Sequence, residues 1–151
     1  MDLLQTVLIV GASVSVNWGG VESPGHLLAK RLGAETVVSA RPLAKLHEVM
    51  PSEEIVRKSA LVVSIDGLYW YWNPDEAIKY VSLLMRQREG KPLILGSIPW
   101  PSEESKRVNK FLEDNCSGAC ILVKLEGNLN PPALHPDQKF MQRVVENVFG
   151  R

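Results

Sequence analysis

The sequence predicts an α/β fold with a mostly parallel, doubly wound sheet, and three observations support this. Five short apolar runs recur along the 151 residues. Two of them, at residues 7–10 and 61–63, are continuous rather than alternating, which is typical of strands buried on both faces. Helical segments separate the runs, so right-handed β-α-β crossovers should join successive strands. We therefore expect one three-layer α/β/α domain over residues 1–151, with five strands in the flavodoxin-like order 2-1-3-4-5.

Local signals place the individual elements. The predicted strands cover residues 6–10, 35–38, 60–65, 92–95 and 119–124. The predicted helices run from Ser23-Pro24 to Gly33, from 42 to 50, from 52 to 59, from Asn73-Pro74 to Gly90, from Ser102 onward, and from Pro136 to the end of the chain. Ser23, Asn73 and Ser102 supply capping side chains at three of these starts, and proline follows the first two.

Composition excludes several classes of function. Lys and Arg number 17, as do Asp and Glu, so the net charge is zero and gives no argument for nucleic acid or an anionic membrane. No apolar stretch approaches the roughly 20 residues of a membrane span. The first residues lack the basic region of a signal peptide, so we expect a cytoplasmic protein whose partner is a small molecule or another protein.

Cys116 and Cys120 are the only cysteines. Their spacing does not match a C-x-x-C redox or zinc pair, and the chain has no second pair of ligands. We expect two buried or half-buried thiols and no metal site.

The loops that follow the strands should carry the function, because ligands of open α/β sheets bind beyond the carboxyl ends of the strands. All four tryptophans fall in these loops: Trp18, Trp70, Trp72 and Trp100. Aromatic rings on one face can wall an apolar pocket or stack on a sugar. The alternative is that they cover the end of the core.

Two residues in these loops form a candidate catalytic pair. Ser13 follows the first strand in a Gly-Ala-Ser turn, and a serine needs a base to become a nucleophile. His135 is the histidine placed at a strand's carboxyl end, just before the last helix. His26 and His47 fall inside predicted helices, where surface or packing roles are expected.

The order of these pieces resembles the SGNH (GDSL-like) hydrolases. Val7-Leu8-Ile9-Val10-Gly11-Ala12-Ser13 is similar to their first block, in which a strand leads to the nucleophilic serine. Leu134-His135-Pro136 is similar to their last block, in which a His-Pro pair carries the base. Fainter similarities at residues 37–42 and 61–67 fall in the same order as the second and third blocks. The resemblance spans nearly the whole chain and implies the flavodoxin-like sheet and a serine hydrolase of esters or acylated carbohydrates.

Several family positions are not matched. Ala12 stands where the family has Asp, Tyr69 where it has the oxyanion-binding Asn, and Pro132 where it has the acid of the triad. No glycine near Ala40 and Arg41 matches the second-block oxyanion donor. The resemblance therefore carries over Ser13 and His135, with the backbone N–H of Ser13 and that of Ala40 or Arg41 as oxyanion donors.

Nearby residues could replace what is missing. Asp66 ends the strand expected beside the first one and could orient His135, or it could be a solvated or capping acid. Asn17 or the Tyr69 hydroxyl could donate to an oxyanion. Arg41 could bind a carboxylate, or it could be an ordinary surface cation.

Two classes of function follow. The first is an SGNH-type esterase using Ser13 and His135, with Asp66 as the acid and Trp18, Trp70 and Trp100 around the substrate. The alternative is a non-catalytic relative that binds a small ligand or a protein through the same aromatic face. A nucleotide-binding domain is disfavoured because neither G-x-G-x-x-G nor a P-loop is present, and no cofactor is expected.

Overall fold

Five parallel strands form one sheet in the order β2-β1-β3-β4-β5, as predicted. The computed structural model describes residues 3–11, 21–41, 46–65, 73–98, 102–124 and 138–149. The strands are β1 (Thr6–Gly11), β2 (Glu35–Ala40), β3 (Leu61–Ser64), β4 (Leu93–Gly96) and β5 (Ile121–Val123). The helices are α1 (Pro24–Leu32), α2 (Leu46–Val49), α3 (Glu53–Lys58), α4 (Pro74–Gln87), α5 (Glu103–Asn115) and α6 (Gln138–Phe149), and a short 3-10 helix at Leu3–Gln5 precedes β1.

The register between strands is continuous, so neighbouring strands end level with one another. Gly11 of β1 pairs with Ala40 of β2, and Ile9 pairs with Val63 of β3. Strand β1 lies inside the sheet and is buried throughout, whereas β2 lies at an open edge and is half-buried to exposed. The continuous apolar runs therefore belong to interior strands, as their pattern predicts.

The predicted capping residues begin the helices. The side chains of Ser23, Asn73 and Ser102 accept the N–H three residues on at the starts of α1, α4 and α5. Gly33, with φ of 64°, ends α1 in the left-handed conformation that suits glycine. Helix α4 ends at Gln87 with Arg88 as its cap, and the predicted stop, Gly90, lies three residues further on in the left-handed conformation, with φ of 75°.

Each face of the sheet carries its own core. On one face, α1 and α6 cover a cluster that includes Ile9, Val63 and Met141. On the other, helices α2 to α5 cover a cluster that includes Leu8, Val62 and Leu112. The sheet is thus the middle layer of three, which is the predicted α/β/α arrangement.

Close packing of α1 on β1 depends on a glycine. A Cβ atom built on Gly25 would lie 2.8 Å from Cγ1 of Ile9, which is closer than carbon atoms approach. Glycine at this position lets the first turn of α1 lie directly on the strand that leads toward Ser13.

The two cysteines form a disulfide, so the prediction of free thiols is wrong. Cys116 caps the end of α5, and the amide N–H of Cys120 donates to its carbonyl across the turn before β5. This tight turn brings the two Cα atoms to 4.8 Å, within the range of disulfides. The sequence spacing alone did not indicate this turn.

Among the described residues, no helix is long and apolar enough to cross a membrane.

Candidate functional site

The carboxyl edge of the sheet is the candidate site. Because the five strands are parallel, they all end at this edge, and the helices that follow them begin near it. The described parts of the edge are the ends of the strands and the first turns of the helices. Each internal stretch outside the described residues begins within three residues of the end of a strand: 12–20, 42–45, 66–72, 99–101 and 125–137.

Most of the predicted site residues fall in those stretches. The following lie outside the described residues: Ser13, Asn17, Trp18, Asp66, Tyr69, Trp70, Trp72, Trp100 and His135. Ala40 and Arg41 are described. They lie at the end of β2 and just after it.

The backbone of Arg41 is already used within the sheet. Its N–H donates to the carbonyl of Gly11 at 3.3 Å, which extends the pairing of β1 with β2 by one residue. Backbone groups of successive strand residues point in opposite directions, so the N–H of Ala40 points toward the open edge of β2 and away from β1. Neither N–H is directed at the space beyond Gly11. In this geometry neither residue supplies the predicted backbone donor to an oxyanion, because both follow the regular pattern of a strand.

The Arg41 guanidinium also has a partner. It forms an ion pair with the Glu48 carboxylate on α2, and the Arg41 side chain is 58% exposed. An exposed pair of this kind is weak, so the guanidinium can still exchange Glu48 for another anion. Arg41 thus remains available to the site through its side chain.

A layer of buried polar side chains lies beneath the carboxyl edge, and the sequence did not single it out. Ser64 ends β3 and Ser97 follows β4, and both are fully buried. Asn109 of α5 donates to the Ile98 carbonyl at 2.9 Å and accepts the Ile98 N–H at 2.6 Å. These two hydrogen bonds fix the chain just after β4, immediately before residues 99–101. The available signal was Asn109 itself, an amide beside the apolar stripe of α5.

The first turn of α1 contains a serine–histidine contact that the sequence analysis did not predict. Ser23 Oγ and His26 Nδ1 lie 2.6 Å apart, and Ser23 Oγ also accepts the backbone N–H of His26. Partial burial lowers the pKa of His26, and the nearby Glu22 acts in the opposite direction. Ser23 is fully buried, so a substrate cannot reach its hydroxyl. This contact caps the helix, in line with the packing role expected for His26.

Helices α1 and α6 pack against each other on one face of the sheet. Arg31 near the end of α1 forms an ion pair with Glu146 of α6. Both helices run back from the carboxyl edge, so their first turns lie at that edge. Ser13 comes in the loop that leads into α1, and His135 comes just before α6.

Among the described residues, no group of three or more His, Cys, Asp or Glu side chains could hold a metal ion. The grooves found there lie at the amino edge, around Leu4 and Leu32, and beside β2, around His26 and Glu35. The first groove is therefore separate from the carboxyl edge, whereas the second runs along α1 from its first turn to the start of β2. The carboxyl edge is the candidate site on the grounds of topology.

Comparison with known proteins supports the fold alone. No family model matches the chain, and no curated protein matches it. The chain is similar to the crystal structure of a protein from Arabidopsis thaliana, with 16% sequence identity and a TM-score of 0.60. The similarity covers 90% of this chain and 71% of the Arabidopsis chain. At this level of identity, the shared feature is the α/β architecture with its five-stranded sheet.

Proposed function

We propose that the protein is a divergent SGNH-type serine hydrolase that cleaves an ester or an acylated carbohydrate. Ser13 is the nucleophile and His135 the base. The proposal rests on the resemblance of the sequence blocks and on one observation from the structure. That observation is the packing of α1 against α6 on a sheet of order 2-1-3-4-5.

This packing supports the pairing because of where the two residues stand in the chain. Ser13 comes two residues after Gly11 and His135 three residues before Gln138. Consecutive Cα atoms are about 3.8 Å apart, so the chain holds Ser13 within about 8 Å of the end of β1 and His135 within about 11 Å of the start of α6. Adjacent helices on one face thus favour a meeting of the two side chains above β1 and β3.

In the proposed reaction, His135 takes the proton of the Ser13 hydroxyl as the oxygen attacks the ester carbonyl. The tetrahedral intermediate then expels the alcohol, which receives the proton from His135, and water hydrolyses the acyl-enzyme in the same way. The Ser13 N–H and either Asn17 or Tyr69 hold the oxyanion. Ala40 and Arg41 are not its backbone donors, because their N–H groups point elsewhere.

Asp66 is the proposed partner of His135. It follows Ile65, the buried residue after β3, and β3 lies beside β1. Continuing the register of Ile9 with Val63 by two residues brings Ile65, the residue before Asp66, level with Gly11 at the end of β1. The Arg41 guanidinium and Trp18, Trp70 and Trp100 complete the proposed site as contacts for the acid or acyl part of the substrate.

Labelling with a fluorophosphonate tests the nucleophile. The probe phosphonylates an activated serine, so the unaltered protein should be labelled and Ser13→Ala should not. Ser15→Ala is the matched control, because it removes a hydroxyl two residues away in the same loop, and its labelling should persist. Absence of labelling at high probe concentration, or equal loss in both variants, would overturn the proposal.

A non-catalytic binding function is the second candidate, and the geometry of Arg41 favours it. The Arg41 N–H donates to the Gly11 carbonyl, and its guanidinium pairs with Glu48. A residue near the family's second-block oxyanion position is thus engaged in contacts within the fold. Ala12 and Tyr69, which stand where the family has Asp and Asn, also favour a non-catalytic function. In this case Ser13→Ala leaves ligand binding intact, whereas Trp70→Ala and Trp100→Ala weaken it in a fragment screen by NMR. Retained binding in both tryptophan variants would count against this candidate.

The proposal places the protein in the cytoplasm, with a small-molecule substrate and no cofactor. The Cys116–Cys120 disulfide bears on the location, because cytosolic thiols are usually kept reduced. Rapid alkylation of cell extracts followed by mass spectrometry measures the state of this pair in its own compartment. Fully alkylated cysteines fit the cytoplasm, and a protected disulfide argues for an oxidising compartment.

A further inference from the structure

Strand β2 presents an open edge to solvent. No strand of the described chain lies beyond it, and Val38 in its middle is 43% exposed. Because Arg41 donates to β1, the alternate residues Thr36, Val38 and Ala40 direct their backbone N–H and C=O groups outward. The edge is therefore a row of backbone donors and acceptors that no described strand pairs with.

The edge also lacks the devices that usually prevent strands from pairing. Natural edge strands are protected by lysine, proline, bulges or very short length. Residues 36–40 contain no lysine or proline, and β2 pairs with β1 residue for residue along its length, without a bulge. The middle of the strand also carries an exposed apolar side chain, Val38.

The ends of β2 carry opposite charges in a self-complementary arrangement. Glu35 opens the strand, and Arg41 follows its last residue. If a second β2 lies antiparallel with Val38 opposite Val38, then Glu35 of each copy stands opposite Arg41 of the other. The outward N–H and C=O groups of Thr36, Val38 and Ala40 in one copy then face those of Ala40, Val38 and Thr36 in the other. These three facing pairs give about six interchain hydrogen bonds.

The side chains agree with this register as well. Glu35 and Arg41 both point to the face covered by α2, where Arg41 already meets Glu48. In the dimer each guanidinium lies between Glu48 of its own chain and Glu35 of the other, which suits its forked set of donors. The two Val38 side chains meet on the opposite face and cover each other.

We propose that two copies of this chain associate through antiparallel pairing of their β2 strands, forming one continuous sheet across a two-fold axis. The occupant of the edge is a second copy because the charge pattern is complementary to itself. This interface shares Arg41 with the proposed substrate site, but it is tested through the oligomeric state alone and needs no substrate.

The experiment is sedimentation velocity from micromolar to near-millimolar concentration, with thermal unfolding to verify folding. The unaltered protein should reach a dimer and stop there. Val38→Lys should be monomeric, because two lysines would face each other at the axis. Ile121→Lys is the matched control, since Ile121 is the exposed apolar residue of the opposite edge strand, β5, and it should leave the dimer intact.

A charge exchange tests the register itself. Glu35→Arg alone and Arg41→Glu alone each place like charges opposite one another twice, so each should raise the dimer dissociation constant by about tenfold. Mixing the two variants restores both opposite-charge pairs and should restore dimerisation. A monomeric parent protein, open-ended oligomers, or a mixture no tighter than its components would overturn the proposal.

Discussion

Tyr80 carries its phenol hydroxyl into the core on the face of α2 to α5. The residue is 5% exposed, and its hydroxyl has no hydrogen-bond partner among the residues that the structure describes. Burial raises the pKa of this phenol well above its ordinary value, because the charged form would lose its hydration. The ring packs in the apolar core, whereas burying its oxygen without a hydrogen bond lowers the stability of the fold.

Tyr80→Phe should therefore stabilise the protein. Removing an unpaired buried hydroxyl should raise the free energy of unfolding by about 1 kcal/mol. The gain should grow above about pH 10, where the phenol ionises in the unfolded chain and stays neutral in the folded one, which lowers the stability of the unaltered protein as the pH rises. Urea unfolding at pH 7 and at pH 10.5 measures both effects.

Ser59→Ala is the control for this prediction. Ser59 is also buried, but its hydroxyl donates to the Ile55 carbonyl at 2.6 Å. Its loss should lower the free energy of unfolding by about 1 kcal/mol. If Tyr80→Phe is destabilising to the same degree, the phenol oxygen has a partner and the interpretation is wrong.

At this scale the sequence predicts residues whose role is local. Ser23, Asn73 and Ser102 were identified as caps because a capping side chain bonds three residues ahead, a relation that is visible in the sequence. Arg88 and Asn109 were missed, because their partners lie in distant segments. A buried arginine or asparagine looks like a surface residue until the carbonyls around it are known.

At the scale of elements, Arg88 joins three segments at the amino edge of the sheet. Its side chain is fully buried and donates to main-chain carbonyls at the end of α3, in the turn before β3 and just before β4. The bonds to Val56, Ser59 and Pro92 measure 2.8, 2.6 and 2.8 Å. Burial lowers the pKa of the guanidinium, but arginine keeps its charge throughout the ordinary range.

Arg88→Lys should lower the free energy of unfolding by about 2–4 kcal/mol. A single ammonium group cannot reach carbonyls on three segments, so some would be left buried without a donor. Arg57→Lys is the matched control, because Arg57 makes an exposed pair with Glu53 one turn away, and its cost should be below about 0.5 kcal/mol. Equal small losses by urea unfolding would show that Arg88 does not hold these segments together.

The bounds of the elements were predictable where turn residues set them and less so elsewhere. Helix α1 begins and ends where Ser23 and Gly33 predict. Strand β2 runs two residues past the prediction, to Ala40, because hydrogen bonds to β1 continue although hydrophobicity does not. The disulfide depends on a tight turn after α5 that no spacing motif describes.

At the scale of the whole molecule, the order of the sheet was predictable because topology follows simple rules. Alternating strands and helices with right-handed crossovers leave few arrangements, and the observed order is the predicted one. The chemistry of the site was less predictable. It depends on how separate loops after different strands approach each other, and Ser13, Asp66 and His135 all belong to such loops.

The two cores lie on opposite faces of one sheet, but only one of them holds the helices next to Ser13 and His135. Met141→Ala opens a cavity beneath α6, and Leu112→Ala opens one beneath α5, and both side chains are fully buried. Each should lower the free energy of unfolding by about 2–5 kcal/mol with the urea dependence unchanged.

If His135 activates Ser13, Met141→Ala should also slow fluorophosphonate labelling severalfold at a temperature where both variants are folded, because a loosened α6 positions the histidine less well. Leu112→Ala should label at the parent rate. Equal slowing in both variants would mean that labelling follows global stability, and equal parent rates would separate α6 from the chemistry.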